Sequence, residues 1–225
     1  GFSAPVVLDC EYTDAQLLTL LAFDPDPFNR WEAAQRLALR RALMAIESSE
    51  PVPSTPLDDA YLGAMRDVLR HPTLDAAFKE LVLTLPSETY ISEQLGEVDP
   101  QRVHAVREAM RLQLASALQA DWAWAFDAHK DNGAYRPDPV STGRRALAGM
   151  ALTMLCLDAR NSGDVVWPGR AWQRFKDAGN MTDRFNALSA LVVSDHALAR
   201  EALARFHSMF QNEDLVLDKW FALQA

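Results

Sequence analysis

Cysteine is nearly absent: Cys10 and Cys156 are the only two in 225 residues. Two thiols cannot build a disulfide scaffold or a four-thiolate zinc site. Cys156 sits in the apolar run Met154-Leu155-Cys156-Leu157, where a thiol behaves as a small hydrophobe. Two reduced structural cysteines fit a reducing compartment, and the cytoplasm is the expected location. Glycine is also scarce. None of the nine glycines falls into G-x-G-x-x-G, a Lys-containing phosphate loop or a Ser nucleophile elbow. No two of the five histidines stand four apart, so the zincin pair His-Glu-x-x-His is missing. No stretch approaches the roughly 20 apolar residues of a membrane span. The opening Gly1-Phe2-Ser3-Ala4-Pro5 has neither the basic nor the apolar region of a signal peptide. It begins without Met and reads as mid-protein sequence. Positive charge is in the minority, with 22 Lys and Arg against 31 Asp and Glu, a net charge of −9. An acidic surface repels phosphate backbones, and the pairs Arg40-Arg41 and Arg144-Arg145 are isolated. Nucleic-acid binding is therefore excluded as a working function.

What is present is helical patterning, with 49% hydrophobic residues, enough for one sizeable core. Pro5 followed by Val6, Val7 and Leu8 predicts an extended segment within residues 2–12. From Thr13 onward the apolar spacing is helical. Thr13 caps a first helix, which Asp24-Pro25-Asp26-Pro27 breaks. Asn29 is the expected cap of the next, with Trp31, Ala34, Leu37, Ala38, the Arg41 stem, Leu43 and Ile46 inward. Asp58–Arg70 repeats the theme. Thr73 and Ser87 are expected caps of two short helices. Asp99-Pro100 opens what reads as one long helix to about His129, along Val103, Val106, Met110, Leu114, Leu118, Trp122 and Phe126. Further helices are predicted near 141–158, 168–177, 182–193, 195–210 and from 215 onward, with Thr182 and Asp195 as caps. About ten helices on short loops, without a strict repeat period, predict an all-α, armadillo- or HEAT-like superhelix of stacked antiparallel helices over residues 13–225. Residues 1–12 are expected to be a linker or the end of a preceding domain.

Little in this pattern is chemical. His104 and Glu108 stand one turn apart and read as an ordinary surface pair. Asp58-Asp59 and Glu213-Asp214 sit where acidic residues cap helices and balance their dipoles. The unusual run is Asp121-Trp122-Ala123-Trp124-Ala125-Phe126. With Trp122 and Phe126 facing the core, Trp124 points to another surface and is a candidate contact with a neighbouring domain.

Several local runs then fall in order. Gly1-Phe2-Ser3-Ala4-Pro5-Val6 and Arg30-Trp31-Glu32-Ala33-Ala34-Gln35 are followed by Leu83-Thr84-Leu85-Pro86-Ser87-Glu88. Asn180-Met181-Thr182-Asp183, Ala187-Leu188-Ser189 and Asp218-Lys219-Trp220-Phe221-Ala222-Leu223-Gln224 complete the set. Together they resemble the C-terminal helical domain of aminopeptidase N, the bacterial-type zinc metallopeptidase. The resemblance implies a multi-domain enzyme that removes N-terminal residues from peptides. Its zinc and its Gly-x-Met-Glu-Asn motif belong to a thermolysin-like domain, and neither that motif nor the zinc motif occurs here. No catalytic or metal residue is therefore carried over, and no cofactor is expected in this chain. Residues 1–12 would close a β-sandwich, and the last helices of the superhelix would lie beyond Ala225. The partners implied are the parent's catalytic and β domains and the peptides passing to the active site. The helical domain would cover the active-site chamber, with Arg30, Arg144, Arg145 and Arg184 as candidate contacts for a peptide carboxylate. The rival reading is a free-standing helical scaffold that binds a protein partner.

Overall fold

A computed structural model describes residues 11–130 and 133–224. The extended segment expected at residues 2–12, and with it the proposed division at residue 12, lies almost wholly outside them. Among the described residues every regular element is helical. They are α1 (Asp14–Phe23), α2 (Pro27–Glu47), α3 (Asp59–Arg70), α4 (Ala76–Leu83), α5 (Glu88–Ser92) and α6 (Pro100–Ala117). Then come α7 (Gln119–His129), α8 (Pro139–Ser162), α9 (Val166–Asp177), α10 (Met181–Val193), α11 (Ala199–Phe210) and α12 (Asp214–Ala222).

Several starts differ from the predicted ones, and at most of them a neighbouring carboxylate or amide wins the cap. Asp26, not Asn29, caps α2 by accepting from the Phe28 N–H at 2.8 Å, because Pro27 is pre-set for the first helical position. Asp75 replaces Thr73 and accepts from the Phe78 N–H. Asn180 replaces Thr182 and accepts from the Asp183 N–H at 2.9 Å. Asp138 caps α8 through the Ser141 N–H. Asp195 caps nothing: its φ of 52° puts it in the left-handed region, and α11 begins four residues later without a side-chain cap.

The predicted long helix is two. Leu118, at φ −111° and ψ 22°, separates α6 from α7. Side chains enter the backbone ladder there, a recognised cause of helix breaks. The Trp122 indole N–H donates to the Leu114 carbonyl at 3.1 Å, and Arg66 donates to the Ala117 carbonyl at 3.1 Å. The break costs one residue of regularity, so the stripe from Val103 to Phe126 still faces inward and is buried throughout.

Most of the principal helix contacts join elements one or two apart in chain order, as in a solenoid, and α4 against α8 is the chief longer-range pair. The most connected helix is α8, which meets α4, α6, α7, α9 and α10. Two glycines permit that approach. A Cβ on Gly143 would lie 2.8 Å from the Ala77 backbone nitrogen of α4, and one on Gly149 would lie 2.4 Å from the Asn186 amide of α10. One continuous apolar core runs from Leu17 to Phe206, while α12 contributes no buried residue. Cys156 is fully buried, and burial pushes its thiol up to about 12, the chemistry of a packing residue.

Candidate functional site

The four arginines predicted from the sequence are engaged with backbone. Arg30 Nε donates to the Leu21 carbonyl at the end of α1, 2.7 Å away. Arg144 donates to the Ala128 carbonyl at the end of α7, 3.0 Å away. Arg145 is buried. It donates to the Arg136 carbonyl at 3.0 Å and the Thr142 hydroxyl at 3.1 Å, while its guanidinium lies 4.7 Å from the Tyr135 ring centre. Arg184 gathers the Phe175 carbonyl at 2.8 Å and the Ala178 carbonyl at the end of α9. The same device closes α2, where Arg102 donates to the carbonyls of Ala45, Ile46, Ser48 and Glu50. The last carbonyls of a helix lack intrahelical partners and carry the negative end of its dipole. In a stack of helices a cation from a neighbour satisfies both needs. None of the four cavities described below is lined by Arg30, Arg144, Arg145 or Arg184.

Trp124 is 36% exposed. It is not bare: the Arg70 guanidinium lies 4.3 Å from its ring centre, the Lys79 ammonium 5.8 Å away, and His129 meets it edge-on. Both Arg66 and Arg70 also bind Asp121, at 3.0 and 2.7 Å, which ties α3 to α7. His104 pairs with Glu88 of α5 at 2.9 Å instead of with Glu108, which binds Arg111 at 2.7 Å. Among the described residues no three His, Cys, Asp or Glu side chains converge to hold a metal. The described residues therefore do not fit a zinc centre. No described helix is long and apolar enough to cross a membrane.

Cavities open on two sides of the described helices. A cavity of about 700 Å³ lies between α7, α9 and the start of α10. Its charges are largely matched internally, with Arg174 on Asp183 at 2.8 Å and Lys130 on Asp127 at 2.7 Å. Three further cavities adjoin one another along α2, α4 and α6. The first, about 350 Å³, lies between α4, α6, α8 and α10 and is lined by Glu80, Arg107, Arg111 and Met150 among others. The second, about 420 Å³, shares Thr84, Leu85 and Arg107 with it and adds Trp31 and Tyr90. The third, about 310 Å³, shares Trp31 and Leu81 with the second and adds Phe28 and Phe78. Burial raises the Glu80 carboxyl. Burial, and then the neighbouring Arg111 charge, lower Arg107. Arg107 and Arg111, one helical turn apart, are the charged residues missed from the sequence. Nothing in their spacing set them apart from other surface arginines.

Among the described residues, twelve stacked helices with no metal-holding cluster form a helical-repeat domain. The family described as a domain of unknown function (DUF3458_C) with ARM repeats matches residues 14–225, and the chain belongs to it. Along its whole length the chain is also similar to aminopeptidase N from three bacteria. Identity is 34% over 227 residues with the Haemophilus influenzae protein, covering 100% of this chain and 25% of that one. It is 34% over 225 residues with the Caulobacter vibrioides protein, again 100% and 25%. It is 30% over 224 residues with the Escherichia coli protein, with the same coverage. The chain thus spans about a quarter of the length of these relatives and corresponds to a C-terminal portion of them. The crystal structure of Legionella pneumophila aminopeptidase A in complex with aspartic acid superposes with a TM-score of 0.80 at 23% identity, covering 99% of this chain and 26% of that one. At that identity the likeness is one of fold.

Proposed function

We propose that this helical array is the C-terminal domain of a zinc aminopeptidase, and that in the whole enzyme it walls the chamber in which peptides lose their N-terminal residues. The observation that carries the reading is the end-to-end match to aminopeptidase N from three bacteria. On this reading zinc and the catalytic groups belong to the thermolysin-like domain, and the enzyme works in the cytoplasm. The partners of this chain are then the catalytic and β domains and the peptides on their way to the metal. An enclosing wall would exclude folded proteins and shield the metal site from bulk water. Arg30 and Arg144 keep donors beyond their helix-end carbonyls for a peptide carboxylate, whereas Arg145 and Arg184 would act by fixing the wall. Trp124, on its Arg70 and Lys79 platform, is a contact for a neighbouring domain.

The test compares purified chain and whole enzyme on aminoacyl-4-nitroanilides, with and without a chelator. The expected result is chelator-sensitive turnover by the whole enzyme and none by the chain alone. Zinc-dependent turnover by the isolated chain would overturn the reading. The reading frame upstream of Gly1 discriminates the rival: a His-Glu-x-x-His domain there fits an enzyme wall, and a start codon at this point fits a free-standing scaffold.

A further inference from the structure

The adjoining cavities present a cationic end and an apolar run. At the cationic end Arg107 and Arg111 project from one face of α6 into the 350 Å³ space between α4, α6, α8 and α10. Their donors are only partly used. Arg107 Nε donates to the Pro86 carbonyl at 2.8 Å. Its two remaining nitrogens make no hydrogen bond or ion pair with a described residue. One Arg111 nitrogen binds Glu108 at 2.7 Å, and its Nε is buried with no hydrogen-bond partner. A charged donor left without a partner favours an acceptor placed against it. Glu108 takes up one end of Arg111, while the guanidinium of Arg107 has no ion pair with a described residue. Guanidiniums are the side chains best shaped for a carboxylate, because their planar donor forks match its two oxygens.

From Arg107 the space continues past Leu85 and Tyr90 to Trp31, and on to Phe28, Phe78 and Leu81. Phe28 and Leu81 are exposed although large and apolar. The surface thus offers an anion site at one end and a row of apolar contacts leading away from it. We propose that this groove holds the C-terminal end of a short apolar peptide, with its terminal carboxylate between Arg107 and Arg111 and its preceding side chains on Leu85, Tyr90 and Trp31. The inference rests on the chamber reading for the class of ligand. It assigns the carboxylate to a pair distinct from Arg30, Arg144, Arg145 and Arg184, none of which lines these cavities.

Met150 and Met154 line the anion end and serve as reporters. The chain is labelled with ¹³C-methyl methionine and ¹⁵N-tryptophan and titrated with three probes: Ala-Phe-Leu, the same tripeptide as its C-terminal amide, and free leucine. Saturable shifts of Met150, Met154 and the Trp31 indole are expected with the tripeptide acid, with the amide weaker by about tenfold or more, the equivalent of roughly 1.4 kcal/mol. Arg111→Gln should weaken the acid to the level of the amide and leave the amide unchanged. Arg170→Gln, which changes the other cavity, should leave both unchanged. An unmoved Met65 methyl reports that each variant is folded. Equal binding of acid and amide, or no shift at millimolar acid, overturns the site. Leucine binding as tightly as the tripeptide overturns the peptide occupant. Turnover by the isolated chain would sink the chamber reading without moving any of these shifts, so the two failures are distinguishable.

Discussion

At the residue scale, charge in this protein is used mainly to hold helices to one another. Arg41 is the clearest case. Its side chain is buried, donates to the Leu37 carbonyl at 2.9 Å, and reaches both Asp14 at the start of α1 and Asp58 at the cap of α3. Its guanidinium also lies 5.4 Å from the Tyr61 ring centre. One cation thereby links three helices. Asp14 completes the cluster with a 2.8 Å bond to Arg40. That bond, with the nearby Arg41 charge, holds the Asp14 carboxyl below the usual carboxylate range against the opposing effect of burial. The sign of the linkage follows. A carboxyl with a lowered folded pKa adds stability above its unfolded value of 3.8 and loses it as pH falls through the folded value. Asp14 is nearly half exposed, with a side-chain accessibility of 46%, so Asp14→Asn should cost only about 1 kcal/mol near neutral pH. Urea denaturation at a series of pH values checks this. The gap between wild type and variant should narrow as pH falls below 3.8, and a gap that stays constant into strong acid would show that the carboxylate's charge is not its cause.

At the scale of elements, the helices and their inward faces were legible because a 3.6-residue apolar period survives almost any loop arrangement. Tyr61, Leu62, Met65, Val68 and Leu69 are all buried as the period requires. The starts were less legible. Asp26, Asp75 and Asn180 compete with nearby Asn29, Thr73 and Thr182, and local sequence alone does not say which polar side chain will meet the free N–H groups. The break at Leu118 was invisible for a different reason: Arg66 reaches the Ala117 carbonyl from α3 and the Trp122 indole turns back onto the Leu114 carbonyl, and apolar spacing records neither. The candidate groove was hidden likewise. Arg107 and Arg111 differ from Arg144 or Arg184 only in what tertiary packing leaves for their donors to do. Packing tightness is also an element-scale property, and Gly143 tests it. A methyl there meets the Ala77 backbone, which cannot rotate away. Gly143→Ala should therefore destabilise by about 1–3 kcal/mol from overpacking, outweighing the roughly 1 kcal/mol gained from helix propensity. Gly63→Ala on α3, where nothing lies within 4 Å, should be neutral or stabilising. Denaturation midpoints of the two variants decide it, and equal shifts of the same sign would rule out close α4–α8 packing as the reason for glycine.

At the scale of the whole molecule, a stack in which each helix meets chiefly its near neighbours does not distribute stability evenly. Each unit is held by its own packing and by its interfaces on either side. The best-held helix is α8, buried among five others and carrying twelve buried residues from Ser141 to Ala159. The opposite case is α12. It has no buried residue, its start lacks a side-chain cap, and Leu215 and Phe221 are 81% and 61% exposed. Its attachment to α11 runs through Trp220, whose indole N–H donates to the Leu203 carbonyl at 3.0 Å and whose ring packs on His207. Local opening free energies track buried contact, so hydrogen exchange of the isolated chain should grade from slowest at α8 to fastest at α12. Trp220→Ala should speed exchange across α12, spread no further than α11, and leave α8 unchanged. If α12 were protected as fully as α8, the array would unfold as one cooperative unit, and its last helix would owe its order to the whole stack instead of to its single neighbour.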